Sequence, residues 1–188
     1  MGRKLTKKKI IFLIALFIIL FETIFNRHVG ENGNTQIKPT AQITPQTREL
    51  VKVIRIVDGD TIVIEGNKKV RYIGIDTPET KDQKKSVQCY GQEAAEKNRQ
   101  LVEKKYVLLE KDVSEVDKYN RLLRYVWLTD PNNASSEGIF INDYLVRQGY
   151  AHAATFPPDV KYADTFLIAE KYARDNYLGL WSSCPVKK

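Results

Sequence analysis

A chain of 188 residues leaves room for one ordinary domain with extra segments at its ends. Charged residues make up 28%, the AVILMFWYC set 43% and aromatic residues 10%, a globular balance that is neither disordered nor collagen-like. Two cysteines and two histidines, His28 and His152, are too few for a Cys₄ or Cys₂His₂ zinc module, and neither a GxxxxGK[ST] nor a GxGxxG run is present to cradle a nucleotide phosphate. The net charge of +7 is not spread evenly. Arg3, Lys4, Lys7, Lys8 and Lys9 stand against Glu22 alone in residues 1–26, whereas Leu50 to Cys184 holds 20 basic and 20 acidic residues. A polyanion site in the main body must therefore be a local cluster of cations.

The first nine residues, MGRKLTKKK, precede twelve unbroken apolar residues from Ile10 to Phe21. Such an order keeps the lysines cytoplasmic and sends the following chain across a membrane. Counted on to Phe25 the run gives about 24 Å of helix, short of the roughly 30 Å hydrocarbon core. No small-x-small cleavage pattern follows Phe21. Residues 1–27 are read as a basic segment with an uncleaved single-pass anchor through residues 10–25, the alternative being a signal that is cut to release a secreted protein. His28 to Glu49 is rich in Thr, Gln and Asn, holds two prolines and no aromatic residue, and reads as a linker.

The folded body is predicted over residues 50–184, with 185–188 as a tail. VKVIRIV, TIVIE and KVRYIGI are β-branched runs separated by Asp58-Gly59 and Gly66-Asn67, the pattern of a three-strand meander. Asp76 to Gly91 is polar and irregular. Gln92 to Glu103 reads as a helix, with Ala95, Arg99 and Val102 at helical spacing. YVLLE and LLRYVWL read as two more strands, and Phe140 to Gln148 and Tyr162 to Asn176 as helices. In the last, Phe166, Ile168, Ala169, Tyr172 and Ala173 form an apolar stripe that Gly179 brings to an end. Five short strands with helices after the third and at the end predict an α+β, mainly β, closed barrel capped by helices. There is no internal repeat.

Four features bear on chemistry: DGDT at Asp58–Thr61, Arg71, DTPE at Asp76–Glu79, and DKYNR at Asp117–Arg121. Each alone has a plain explanation. Asp-Gly suits a hairpin turn, Asp-Thr-Pro-Glu suits a helix start, and the arginines suit solvated positions. Together they differ. In a meander Asp60 and Asp76 fall at the same end of the sheet, and two converging carboxylates form a hard oxygen site of the kind Ca²⁺ takes. Pro78 stiffens the turn that holds Asp76 and aims Glu79 elsewhere. Arg71 sits near the same rim, and arginines beside a metal neutralise a phosphodiester and its pentacovalent transition state.

These residues resemble the thermonuclease, or staphylococcal-nuclease-like, family from about Val53 to Trp181. DGDT, RYIGIDTPETK, Lys84-Lys85, YGQEA, DKYNR, NDYLVRQGYA and GLW occur in the family's order. The resemblance implies a five-stranded OB-type barrel with three helices. It implies Asp60 and Asp76 as Ca²⁺ carboxylates with the Thr77 carbonyl beside them, Glu79 as the group that orients and deprotonates water, and Arg71 and Arg121 on the phosphate. Lys118 and Tyr119 would lie by the nucleotide phosphate, and Lys84 and Lys85 would meet the strand. The implied reaction is hydrolysis of DNA and RNA, single strands preferred, to 3′-phosphate ends by a monomer.

Two positions depart from the family. Asn120 stands where glycine is usual, and Asn is the next-best residue for a left-handed conformation. Thr155 stands where the best-known member has a base-stacking tyrosine, a loss of about 1–3 kcal/mol of strand affinity. The loop Thr129–Gly138 carries the triplet Asn133-Ala134-Ser135, a match to a glycosylation acceptor. Cys89 and Cys184 are a candidate disulfide in a body outside the cytoplasm, with two independent thiols as the alternative. Three functions compete: an anchored extracytoplasmic Ca²⁺-dependent nuclease, a non-catalytic barrel that binds single strands, and a surface interaction protein.

Overall fold

The computed structural model of this chain describes residues 48–80, 87–132 and 138–185. The predicted anchor, linker residues 28–47, Lys84, Lys85 and the Asn133–Ser135 triplet lie outside the described residues, while Glu49, the last residue of the predicted linker, already opens the first strand. Among those described, no helix is long and apolar enough to cross a membrane.

Strand β1 (Glu49–Ile56) turns through Asp58–Asp60 into β2 (Thr61–Ile64), which turns into β3 (Lys68–Tyr72). Both connections are antiparallel, with Ile56 opposite Ile62 and Thr61 opposite Arg71. Gly66 and Asn67 at the second turn have φ of 75° and 57°, the paired left-handed residues that a tight hairpin requires. A short β4 (Ile75–Asp76) follows, then α1 (Gly91–Val102), β5 (Tyr106–Glu110), β6 (Leu122–Leu128), β7 (Ile139–Phe140) and α2 (Ile141–Arg147). The described chain ends with β8 (His152–Ala153), α3 (Ala163–Asp175) and α4 (Leu180–Ser183).

The sheet runs β3-β2-β1-β5-β6, and β6 returns to pair with β3, closing a five-stranded barrel. That closing ladder is parallel, with Val70 opposite Leu122 and Arg71 opposite Leu123. The register of β1 shifts between Val53 and Arg55, an extra residue that puts Val53 and Ile56 inside and leaves Ile54 46% exposed. Val53, Ile62, Val70, Tyr72, Val107, Leu109 and Val126 fill the interior. β4 pairs with β8 in a separate two-stranded ladder.

The OB-type barrel matches the expected architecture, with details corrected. A fourth helix, one turn long, follows Gly179, and α3 ends earlier, at Asp175. The stripe on α3 is narrower than predicted: Phe166, Ala169 and Ala173 are buried, but Ile168 is 64% exposed and Tyr172 is exposed too. Two residues from Phe166 is about 200° around a helix of 3.6 residues per turn, so Ile168 faces water. On α1 the inward polar position is Asn98, while Arg99 points out and pairs with Glu96. Cys89, just before α1, is disulfide-bonded to Cys184 just after α4, so the two cysteines are not independent thiols.

Candidate active site

Asp60 is the anchor of the site. It is 4% exposed, and its Oδ2 accepts the Thr77 N–H at 2.8 Å and the Thr77 hydroxyl at 2.9 Å. Its Oδ1 accepts the Thr61 hydroxyl at 3.1 Å. Gly59 permits this closeness, because a Cβ there would lie 2.7 Å from Thr77 Oγ1. Gly59 has no positive φ, so its role is space and not the turn freedom that Asp-Gly suggested. The Asp76–Glu79 segment is no helix start either: Asp76 ends β4 opposite His152.

Arg71 joins the two carboxylates. Its Nη1 lies 3.0 Å from Asp60 Oδ2 and its Nη2 2.8 Å from Asp76 Oδ1. Nη1 also donates to the carbonyls of Tyr72 and Ile75 at 3.1 and 3.0 Å, which fixes the guanidinium plane. One cation thus answers two acids. Burial and the charge of Asp60 push the Asp76 carboxyl above its ordinary pKa. Asp58, two residues before Asp60 in the turn, is a third acid here, its Oδ1 accepting the Asp60 N–H at 3.1 Å. Burial and Asp60 push its carboxyl up to about 7. Asn98 of α1 ties this turn to the barrel, donating to the Asp58 carbonyl at 3.1 Å and accepting from the buried Tyr72 hydroxyl at 2.9 Å.

The turn before β6 supplies the second arginine. Asp117 Oδ1 accepts the N–H groups of Tyr119 and Arg121, and its Oδ2 accepts Arg121 Nε at 2.7 Å. Asn120 has φ of 61°, the left-handed geometry expected of it. The two terminal nitrogens of Arg121 make no hydrogen bond or ion pair among the described residues. Tyr119 is 68% exposed, with Lys118 Nζ and Arg121 Cζ 5.0 and 5.4 Å from its ring centre. A cavity of about 240 Å³ opens beside Arg71 and Asp117, with Leu123 in its wall. A larger recess, about 520 Å³, lies by Leu128 at the far end of β6, away from these carboxylates.

The sequence model described as "Staphylococcal nuclease homologue" matches residues 69–183. This chain belongs to the staphylococcal nuclease family. It is 34% identical over 182 residues to a protein named thermonuclease from Staphylococcus intermedius, covering 95% of this chain and 98% of that one. It is 32% identical over 184 residues to the thermonuclease of Staphylococcus hyicus, covering 96% and 99% of the two chains. Over 162 residues it is 37% identical to endonuclease YncB of Bacillus subtilis (strain 168), covering 82% of this chain and 73% of that protein.

For this member of the staphylococcal nuclease family, Asp60, Arg71, Asp76 and Thr77 come into direct contact. Arg121, with Lys118 and Tyr119, reaches the same region through Asp117, which lines one cavity with Arg71. Glu79 is exposed, three residues beyond Asp76, its backbone held by Gln88. Lys84 and Lys85 lie outside the described residues. Sequence reasoning read Asp58 only as a turn residue, and missed Asn98 and Phe156. Phe156, next to Thr155, is 75% exposed and lines the cavity beside Arg71, so the position expected to lack a ring has one a residue later. A lone aromatic between Thr and Pro-Pro was the available signal. Among the described residues no group of three or more His, Cys, Asp or Glu is arranged to hold a metal ion.

Proposed function

We propose that this chain is a Ca²⁺-dependent endonuclease that hydrolyses phosphodiester bonds of DNA and RNA, single strands preferred, to 3′-phosphate ends. It acts as a monomer on the outer face of a membrane, anchored through residues 10–25. The single observation that carries this reading is the shared guanidinium of Arg71 between Asp60 and Asp76. The names of the relatives support it.

The donor set fits the cation. Two carboxylates against one guanidinium leave surplus negative charge for a cation to answer. Asp60, Asp76 and the Thr77 carbonyl would hold Ca²⁺, a hard ion that prefers oxygen ligands and completes its shell with water. Bound there, the ion supplies positive charge to the phosphate oxygens.

The protein's own residues do the rest. Glu79 accepts a proton from the attacking water, whose oxygen forms a bond to phosphorus in line with the leaving 5′-oxygen. Arg71 and Arg121 present planar N–H donors to the non-bridging oxygens, which carry the most charge in the pentacovalent transition state. The P–O5′ bond breaks, the 5′-oxygen takes up a proton, and the phosphate stays on the 3′ side. Lys118 and Tyr119, with Lys84 and Lys85, hold the strand.

Incubating the full chain with single-stranded DNA and RNA, with Ca²⁺ and then with chelator, tests the reading. Ca²⁺-dependent cutting to 3′-phosphate ends is expected. Cutting that persists in chelator rejects the metal, and binding without cutting favours the non-catalytic barrel.

A further inference from the structure

Glu79 and Gln88 are locked together from both sides. The Glu79 N–H donates to Gln88 Oε1 at 3.0 Å, and the Gln88 N–H donates back to the Glu79 carbonyl at 3.0 Å. Gly91 closes the contact from behind, since a Cβ there would come within 2.7 Å of the Glu79 carbonyl oxygen and 2.9 Å of that of Pro78. The Gly91 N–H in turn donates to the Gln88 carbonyl at 3.1 Å. Between Gln88 and Gly91 sits Cys89, bonded to Cys184 at the end of α4. One side of this short segment grips Glu79 and the other is tied covalently to the C-terminal helix.

We propose that Gln88 is a positioning residue for Glu79, and that the Cys89–Cys184 disulfide holds Gln88 in place for that task. Turnover is then sensitive to the redox state of the bond. The inference rests on the reading of Glu79 as the residue that activates water. A base must come within hydrogen-bond reach of its proton, and a displacement of about 1 Å can slow a reaction roughly a hundredfold. Glu79 is exposed, so apolar packing does not fix it. The two hydrogen bonds to Gln88 fix its backbone instead. Leucine has no acceptor for the Glu79 N–H, whereas glutamate keeps an oxygen at the same reach, which makes Gln88→Leu the disabling change and Gln88→Glu the conservative one.

Reduction has a defined balance. A dithiol delivers two electrons and two protons, the sulfur–sulfur bond opens to the thiols of Cys89 and Cys184, and the dithiol closes to its own disulfide.

The test uses the full chain with Ca²⁺ and single-stranded DNA, and compares Gln88→Leu, Gln88→Glu, Glu79→Gln and the Gln88→Leu/Glu79→Gln pair. Gln88→Leu is expected to lower kcat about tenfold with KM unchanged, and to speed hydrogen exchange at the Glu79 amide. Gln88→Glu should restore most of the rate. In the Glu79→Gln background, Gln88→Leu should add nothing. A dithiol should lower kcat severalfold in the native chain and leave Gln88→Leu unchanged, with circular dichroism constant. Equal losses in both backgrounds, or Glu79 amide exchange as slow in Gln88→Leu as in the native chain, overturn the proposal. Faster exchange with native kcat in both Gln88→Leu and Glu79→Gln overturns the parent reading of Glu79 instead.

Discussion

Asp60 shows how one buried side chain organises a site. Its two oxygens accept three hydrogen bonds from Thr61 and Thr77 and an ion pair from Arg71, so none of those groups can move alone. Arg71, Asp76 and Thr77 gather around this fixed point. Glu79→Gln removes the proton acceptor and should slow cleavage by about 10²–10⁴-fold. Arg121→Ala removes transition-state donors at a cost of about 10²–10³-fold. Single-turnover rates check both, and unchanged circular dichroism would show that the fold survives. A near-native rate in either variant removes that residue from the mechanism. Phe156 offers a ring on the cavity rim, and stacking on a base is worth about 1–3 kcal/mol. Phe156→Ala should therefore weaken single-strand binding several-fold or more, measured by anisotropy, with little change in melting temperature because the ring is mostly in solvent.

At the scale of elements, the closing ladder between β3 and β6 matters most. Because it is parallel, Arg71 on β3 and the Arg121 turn before β6 come to one edge, although 50 residues separate them in sequence. α1 then braces the site from outside through Asn98, whose amide satisfies both a turn carbonyl and a buried tyrosine hydroxyl. The disulfide ties the start of α1 to α4 across 95 residues. In the chain-entropy picture a bridge of that span contributes about 4–5 kcal/mol. Replacing both cysteines by serine should lower the melting temperature by on the order of 10 °C, read by calorimetry. A shift of only a degree or two would mean that the bridge adds little to the native state.

For the whole molecule, Glu110 links the barrel to the segments around it. Its side chain is 1% exposed and meets Arg48, Lys161 and Tyr162. Burial alone would raise its pKa, but hydrogen bonds from Lys161 and Tyr162, the Lys161 charge and Arg48 together hold it below the ordinary glutamate value of 4.5. A depressed carboxylate contributes its stability in full above the unfolded pKa and loses it as pH falls through the lower folded value. Glu110→Gln takes the charge out of the hydrogen bonds from two partly exposed cations and should cost about 1.5–3 kcal/mol at neutral pH. That gap should begin to narrow below pH 4.5, where the carboxyl of the unfolded chain takes up its proton, and should close as the pH falls through the lower folded value. Urea midpoints of both proteins at neutral and acid pH measure it, and a gap constant across the range would contradict the linkage.

By itself the sequence determined what depends on neighbours along the chain. Gly66-Asn67 and Asn120 adopt left-handed φ because few other residues do so cheaply. The helices appear where apolar residues recur at 3–4 spacing, and the ordered motifs mark the acids and arginines. Tertiary structure decided what depends on distant partners. The extra residue in β1 turns Ile54 outward because β2 and β5 set the register on either side of it. Asn98 is inside because Tyr72 and Asp58 meet it there, and Ile168 is outside because among the described residues no element covers that face of α3. Phe156 reaches the cavity through the path of the chain after β8, which the local Thr-Phe-Pro-Pro run marks but does not place. Short-range preferences act through a residue's own dihedral angles, whereas burial and charge proximity exist only after the barrel has closed.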